Sequence, residues 1–544
     1  MTIHLDPSVI AARGRGMREA GLWLDRTVDS YFADNVRNHP DKTALIGYRA
    51  DGQPTRRFSY RQLSDLVERA AASLRAMGVE RGDVVAIQLP NWWEFVVVAL
   101  ACVRIGAAAN PMVQILRERE VHYMVSLAEA KVLIVPTVFR GFDHAAMART
   151  LRDSIPTLQR VIVVGEDGPD GFEQALLSGT ATVPYDPKHP ALGPDDLLVL
   201  MYTSGTTGEP KGVMHTSNTV NGDVLRFASG LGLHGDDVFF AATPVGHMTG
   251  YGIFVLLPMM LGNTLVLQDV HDPRAGVRIM DSEGVSFSAG ATPFLADLVD
   301  AALSEKIRPA RLRRFYCAGA PIPPVLVQRA WNELKLTVSS VWGMTEIIAG
   351  TMTEPDLAER AWTTDGRALP GIEVKVVDEH RKESPRGQPG RLLVRGASMF
   401  CGYLKRPEFY TVDAEGWFDT GDLARMDADG YIRITGRTKE LLIRGGENVP
   451  VIEVENVLLQ HPAIAGVAIV GMPDARLGER GCAFVVAREG MKVDLPLVQS
   501  YLGEMKVAKP FWPERVEIVE DLPKTASGKV QRFVLKQIAA QYGN

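Results

Sequence analysis

Short apolar runs separated by amphipathic stretches constrain this chain more than any other feature. Val84 to Leu89, Val132 to Val135, Val161 to Val164 and Leu197 to Met201 read as strands, while Tyr60 to Met77 repeats its apolar positions with a helical period. Continuously apolar strands alternating with helices are what buried, largely parallel sheets require, so the pattern predicts an α/β fold. The apolar run Phe95 to Val103 stops at Arg104. It is far shorter than the roughly 20 residues a membrane span needs, and it reads as a buried helix.

After Gly371 the pattern changes. IEVKVVD, GRLLVRG and GYIRITGR alternate apolar and polar residues, the mark of half-exposed antiparallel strands, and predict a small β-rich subdomain. Beyond Gly436-Arg437-Thr438-Lys439 the chain resumes with a helical stretch, Val451 to Gln460, and two strand-like runs, IAGVAIVGM and GCAFVVA. A helix near Leu495 to Met505 and a strand from Val516 to Val519 follow. The expected division is a large N-terminal domain, 1–436, of two α/β subdomains plus the β-rich one, and a small α+β C-terminal domain, 437–544. A chain of 544 residues exceeds what one hydrophobic core usually serves.

Composition removes several classes of function. The 46% hydrophobic and 23% charged content matches ordinary globular proteins, which excludes a disordered chain and membrane insertion. A net charge of −6 leaves no basic excess for nucleic acid. The N-terminus has no apolar leader and the final Tyr542-Gly543-Asn544 is no peroxisomal address, so the expected location is the cytoplasm. Cys102, Cys317, Cys401 and Cys482 form no CxxC pair, which signals neither a disulfide framework nor a zinc site. A homodimer is compatible with all this, but no oligomeric state follows from it.

The densest chemical signal directly follows the strand 197–201. It reads Tyr202-Thr203-Ser204-Gly205-Thr206-Thr207-Gly208-Glu209-Pro210-Lys211-Gly212. Glycines let backbone N–H groups approach phosphate oxygens, hydroxyls add donors, and Lys211 adds a point charge. It is no Walker A loop, because Pro210 precedes the lysine and Gly212 follows it. Taken alone, a Gly/Ser/Thr-rich segment is ordinarily a surface turn.

Further segments follow in a fixed order. They are Cys317-Ala318-Gly319-Ala320-Pro321, Val341-Trp342-Gly343-Met344-Thr345-Glu346, Trp417-Phe418-Asp419-Thr420-Gly421-Asp422, Gly436-Arg437 and Pro523-Lys524-Thr525-Ala526-Ser527-Gly528-Lys529. Each residue has an ordinary explanation by itself: a core tryptophan, a solvated glutamate, a turn aspartate, a surface lysine. As an ordered set spanning nearly the whole chain, they resemble the adenylate-forming superfamily, which includes acyl-CoA synthetases, luciferases and peptide-synthetase adenylation domains.

The resemblance implies ATP, Mg2+ and coenzyme A as partners of a small carboxylic acid, and an acyl-adenylate on the path to acyl-CoA. Thr203 to Thr207 and Lys211 would hold phosphates. Trp342 would face adenine, with Gly319, Ala320 and Pro321 on the other side and Gly343 beside it. Asp422 would take the ribose hydroxyls with help from Arg437. Thr345 would meet the phosphate or acid carboxylate, and Glu346 would hold magnesium, which suits one or two carboxylates plus phosphates.

Lys529 would stabilise the charge of the pentavalent transition state. The C-terminal domain would swing about Lys439, with Gly445 and Gly446 lining the CoA tunnel. An accessible Lys529 would also invite a lysine acetyltransferase, since acetylation removes its charge.

No acidic residue stands between Thr243 and Leu261, where amino-acid-activating relatives place an aspartate. The expected acyl pocket, His247, Met248, Tyr251, Gly290, Ala291, Thr292, Gly343, Met344 and Ile348, is mostly apolar or small. His247 falls where relatives carry a gate beside the carboxylate; a buried structural histidine is the equal alternative. Gln88 to Phe95 and Arg117 to Glu120 look like the branch of cyclohexanecarboxylate-CoA ligase and short- to medium-chain fatty acyl-CoA synthetase, so an alicyclic acid ranks before medium-chain and aromatic ones. Loading of a carrier protein, an aryl-CoA ligase, a luciferase-like oxygenase and a non-catalytic nucleotide sensor remain alternatives.

Overall fold

The computed structural model describes residues 5–203, 210–318, 322–438, 442–444, 447–449, 451–474, 476–505, 507–525 and 528–542. Two large sheets carry the body. In the first, Lys211–Thr216, Leu197–Thr203, Ala108–Pro111, Val84–Ile87, Val132–Pro136 and Arg160–Val164 lie side by side in that order. All neighbours are parallel except the edge pair Lys211–Thr216 and Leu197–Thr203, which forms an antiparallel hairpin.

The second sheet has a parallel centre of Thr337–Trp342, Arg314–Ala318, Phe287–Gly290, Val238–Ala241, Thr264–Gln268 and Thr43–Tyr48. Short antiparallel strands close both of its edges.

The helix Trp93–Ile105 packs against strands of both sheets and is buried at every position. This is why its sequence is apolar all round rather than striped. Arg104, the residue that ends the apolar run, does not turn to solvent. Its Nε donates to Asp29 Oδ1 at 3.0 Å and Oδ2 at 2.7 Å, and its Nη1 donates to the carbonyl of Val183 at 3.1 Å. Gly106, with φ of 79°, caps the helix in the left-handed region that favours glycine.

The β-rich subdomain is a four-stranded antiparallel sheet of Ile372–Val377, Gly390–Gly396, Phe418–Met426 and Ile432–Arg437. Its third strand contains the Phe418-Asp419-Thr420-Gly421-Asp422 segment, which the sequence offered only as a ligand motif. The last sheet joins Glu447–Val449, Leu442–Arg444, Gly478–Ala487, Ile464–Asp474 and the parallel strand Arg515–Ile518. Helices Val451–Leu458, Leu495–Glu504 and Arg532–Ala539 complete this small α+β domain, the last of them unanticipated. The fold is thus a large α/β N-terminal domain followed by a smaller α+β one. Among the described residues no helix is long and apolar enough to cross a membrane.

Arg104→Ala would leave the Asp29 carboxyl, raised by burial and held down only by Arg104, without its cation in the core. Breaking a buried pair from one side costs about 3–5 kcal/mol. Chemical denaturation of the variant is expected to show a loss of that order; a loss within about 0.5 kcal/mol, typical of surface substitutions, would contradict it.

Candidate active site

The carboxyl ends of the parallel strands in the two sheets meet at one seam, where open α/β sheets bind ligands. Asn91, just beyond Val84–Ile87, is buried there and ties one sheet to the other. Its Nδ2 donates to the carbonyls of Ala241 at 3.2 Å and Thr243 at 3.0 Å, and its Oδ1 accepts from the Val245 N–H at 2.9 Å. Thr243 Oγ1 donates to the Ala289 carbonyl at 3.0 Å. A Cβ on Gly246 would stand 2.6 Å from the Met112 carbonyl oxygen, so only glycine fits. The turn carrying His247 is therefore clamped from three sides.

His247 is half-buried, and its imidazole is pushed down to about 4, first by desolvation and then by the cation of Lys529. It is neutral at physiological pH. Lys529 lies near enough for its charge to act on this imidazole, and its backbone is held in a tight turn of the small domain, where Thr525 N–H donates to the Lys529 carbonyl at 2.7 Å and Lys529 N–H to Thr525 Oγ1 at 3.1 Å. Gly528 has a φ of 82°, and a Cβ there would lie 3.5 Å from Ala291 Cβ. The turn thus rests on the start of the helix Thr292–Glu305.

The other acyl candidates lie in several places. Met248 and Ile348 face the bare α-carbon of Gly252, where a Cβ would meet each at 3.8 Å. Thr292 Oγ1 lies 3.8 Å from Cys317 Sγ, and a Cβ on Gly290 would meet Phe294 Cβ at 2.7 Å. Tyr251 is wholly enclosed, its ring edge against Phe95 at 6.3 Å, and its hydroxyl has no partner. It belongs to the core beneath the turn.

Thr337–Trp342 delivers the nucleotide candidates. Trp342 Nε1 donates to Asp422 Oδ2 at 2.8 Å, while Arg437 Nε meets Asp422 Oδ1 at 2.8 Å. Three residues distant in sequence are joined by one buried carboxylate. The loop that follows is compact: a Cβ on Gly343 would lie 2.1 Å from the Ile348 carbonyl, and Met344 accepts from the Ile348 N–H at 2.7 Å. Ile348 has a φ of 73°, a strained conformation for a β-branched residue.

Two residues that the sequence did not single out brace this loop. His215 is fully buried and faces the Thr345 carbonyl with Nε2 at 2.7 Å, so Nε2 carries the proton, while Nδ1 lies 3.0 Å from Thr219 Oγ1. Burial pushes its imidazole down to about 4. Tyr403 donates its hydroxyl to Glu346 Oε1 at 2.7 Å. The Glu346 carboxyl is raised by burial, against the opposing pull of Tyr403, Lys211 and Arg437.

Thr203 and Lys211 pair across the hairpin that flanks the expected phosphate loop. Ser204, Gly205, Thr206, Thr207, Gly319, Ala320, Pro321, Lys439, Gly445 and Gly446 lie outside the described residues.

This arrangement, a carboxylate, a lysine and a clamped histidine turn where two α/β sheets and a small domain meet, is the design of an adenylate-forming enzyme. The chain belongs to the AMP-binding enzyme family, which it matches over residues 32–404, with the AMP-binding enzyme C-terminal domain matching over residues 453–529. It is 36% identical over 533 residues to the medium-chain fatty-acid–CoA ligase of Escherichia coli (strain K12), covering 96% of this chain and 92% of that protein. It is 33% identical over 533 residues to a salicylyl-CoA synthase / salicylate adenylyltransferase of Streptomyces sp, covering 96% and 95%. The ATP-bound structure of MatB from Rhodopseudomonas palustris superposes with a TM-score of 0.84 at 28% identity, over 95% of this chain and 100% of that one. The chain is an enzyme of the AMP-forming acid–thiol ligase class.

Because Asn91 supplies three hydrogen bonds to the turn before His247, Asn91→Ala should loosen that turn without touching the nucleotide groups. The apparent KM for the acid is expected to rise about tenfold, the equivalent of about 1.4 kcal/mol. ATP–diphosphate exchange measured against each substrate checks this: an unchanged KM for the acid, or an equal rise in the KM for ATP, would refute it.

Proposed function

We propose that this enzyme condenses a hydrophobic carboxylic acid with ATP to an acyl-adenylate, releases diphosphate, and transfers the acyl group to coenzyme A. The observation that carries the reading is the proximity of Lys529 to His247. The charge of Lys529 in the small domain acts on a neutral imidazole, and the neighbouring Gly528 rests against Ala291 at the start of the helix Thr292–Glu305. An acid carboxylate bound between them would attack the α-phosphorus of ATP. Lys529 would then offset the negative charge that builds as diphosphate leaves. His247 stays neutral in that field, so it can hydrogen-bond the carboxylate without protonating it.

The remaining roles follow from the same placement. Thr203 and Lys211 would frame the phosphates, Trp342 and Asp422 the nucleoside, and Arg437 would assist at Asp422. Thr345 lies one residue from Glu346 on the braced loop. Glu346 fits as the protein's carboxylate for Mg2+. Among the described residues no cluster of three His, Cys, Asp or Glu forms a cage, so the phosphates would have to supply the rest of the coordination. When bound, the cation neutralises phosphate charge.

The small domain, beginning near residue 437, would pivot near Lys439 to withdraw Lys529 and admit CoA past Gly445 and Gly446. The exposed position of Lys529 also suits acetylation as an off switch.

For the acid, the apolar neighbours Met248 and Ile348 and the absence of any acidic residue between Thr243 and Leu261 favour cyclohexanecarboxylate or a similar alicyclic or medium-chain acid. The likeness to the E. coli medium-chain enzyme agrees with this. A second reading, an aryl acid, draws on the Streptomyces relative.

Lys529→Ala is expected to slow acid-dependent diphosphate release by about 100-fold or more while leaving CoA transfer from supplied acyl-adenylate largely intact. Equal loss of both half-reactions would remove Lys529 from the adenylation step. Across a panel of acids, cyclohexanecarboxylate and linear medium-chain acids should give the highest kcat/KM, differing among themselves by about tenfold to 200-fold per methylene at most. Preference for salicylate or benzoate would establish the aryl reading. If a carrier protein accepted the acyl group and free CoA did not, the proposed thiol acceptor would be wrong.

A further inference from the structure

Beside Glu346, the segment 401–404 extends the hairpin edge of the first sheet. Leu404 N–H donates to the Gly212 carbonyl at 2.7 Å, Met214 N–H to the Gly402 carbonyl at 3.1 Å, and Cys401 N–H to the Met214 carbonyl at 2.8 Å. This register sets Val213 opposite Tyr403. Lys211 is two residues from Val213 and therefore shares the face of Tyr403 as its diagonal neighbour.

The consequence is a specific seat. Lys211 Nζ lies 4.9 Å from the Tyr403 ring centre and 4.1 Å from that of Phe409, which follows in the short helical turn Pro407–Phe409. The same Tyr403 donates its hydroxyl to Glu346 Oε1 at 2.7 Å. Phe400 holds the tyrosine ring edge-on at 4.7 Å, and its backbone N–H donates to the Glu346 carbonyl at 2.9 Å.

We propose that Tyr403 and Phe409 are positioning residues for the polyphosphate end of the nucleotide. Their rings seat the Lys211 ammonium, and the Tyr403 hydroxyl fixes the Glu346 carboxylate toward the divalent cation that accompanies ATP. The inference rests on the reading of Lys211 as a phosphate group's partner and of Glu346 as the cation's carboxylate. Its physical basis is preorganisation. A cation over two aromatic faces is held in place by their negative π faces while keeping its charge, and a carboxylate with one oxygen engaged retains the other for a cation.

The two side chains make separable contributions, so the test is a crossed one. The full-length enzyme is titrated without acid, so that ATP is not consumed. ATP binding is read by calorimetry at saturating Mg2+, and Mn2+ binding to the enzyme–ATP complex by electron paramagnetic resonance.

Phe409→Leu is expected to weaken ATP about tenfold with Mn2+ affinity unchanged, and Phe409→Tyr, which keeps an aromatic face, to restore it. Tyr403→Phe keeps the ring, so ATP affinity should hold while Mn2+ affinity falls about tenfold. The adenylation rate of Tyr403→Phe should recover as Mg2+ is raised, which a folding lesion would not do. Unaltered Mn2+ affinity in Tyr403→Phe, or unaltered ATP affinity in Phe409→Leu, would overturn the proposal. Glu346→Gln and Lys211→Ala serve as references: if they leave Mn2+ and ATP binding untouched, the underlying reading fails instead.

Discussion

The helix Trp93–Ile105 is enclosed by protein on every side, and that enclosure organises the rest of the molecule. A helix that is apolar all round must be covered all round, and one sheet can cover only one side of it. Two largely parallel sheets pack against it. Asn91, a few residues before the helix begins, then stands within reach of the carbonyls of Ala241 and Thr243 in the other sheet. The same packing that excludes water from the helix brings the turn carrying His247 and the strand end before the helix Thr292–Glu305 together.

Around that seam the protein buries several polar groups. His215, Glu346 and Asp422 are all buried, yet each meets a named partner, as buried polar groups must. The Asp223 carboxyl, pushed well up by burial, accepts the Ala349 N–H at 3.3 Å next to the strained Ile348. The loop 343–350 carries both the strained Ile348 and the buried Glu346. Such costs persist where surrounding structure over-determines a conformation, as His215 and Tyr403 do here.

Much of this was legible in the residues. Continuous apolar runs and the switch to alternation after Gly371 gave the α/β body, the β-rich subdomain and the small domain, because sheet burial writes its period directly into the chain. Of the motif glycines, Gly343 stands where a Cβ would clash with the Ile348 carbonyl, and Gly421 and Gly528 adopt left-handed φ. What periodicity could not show was that Phe418 to Asp422 lies in a strand, or that Arg532–Ala539 is a helix. Nor could Asn91, His215 and Tyr403 be weighted, since a lone Asn, His or Tyr carries no signal until its partner is known.

By itself, the sequence determined the fold class, the family and the order of its motifs, for these depend on local pattern and on residue types at short spacing. Only the tertiary structure decided which of those residues meet: Trp342 and Arg437 on one aspartate, Tyr403 on Glu346, the Lys529 turn against Ala291. Those encounters join positions tens to hundreds of residues apart, and their hydrogen bonds and charges act over a few ångströms. No linear reading can supply that distance.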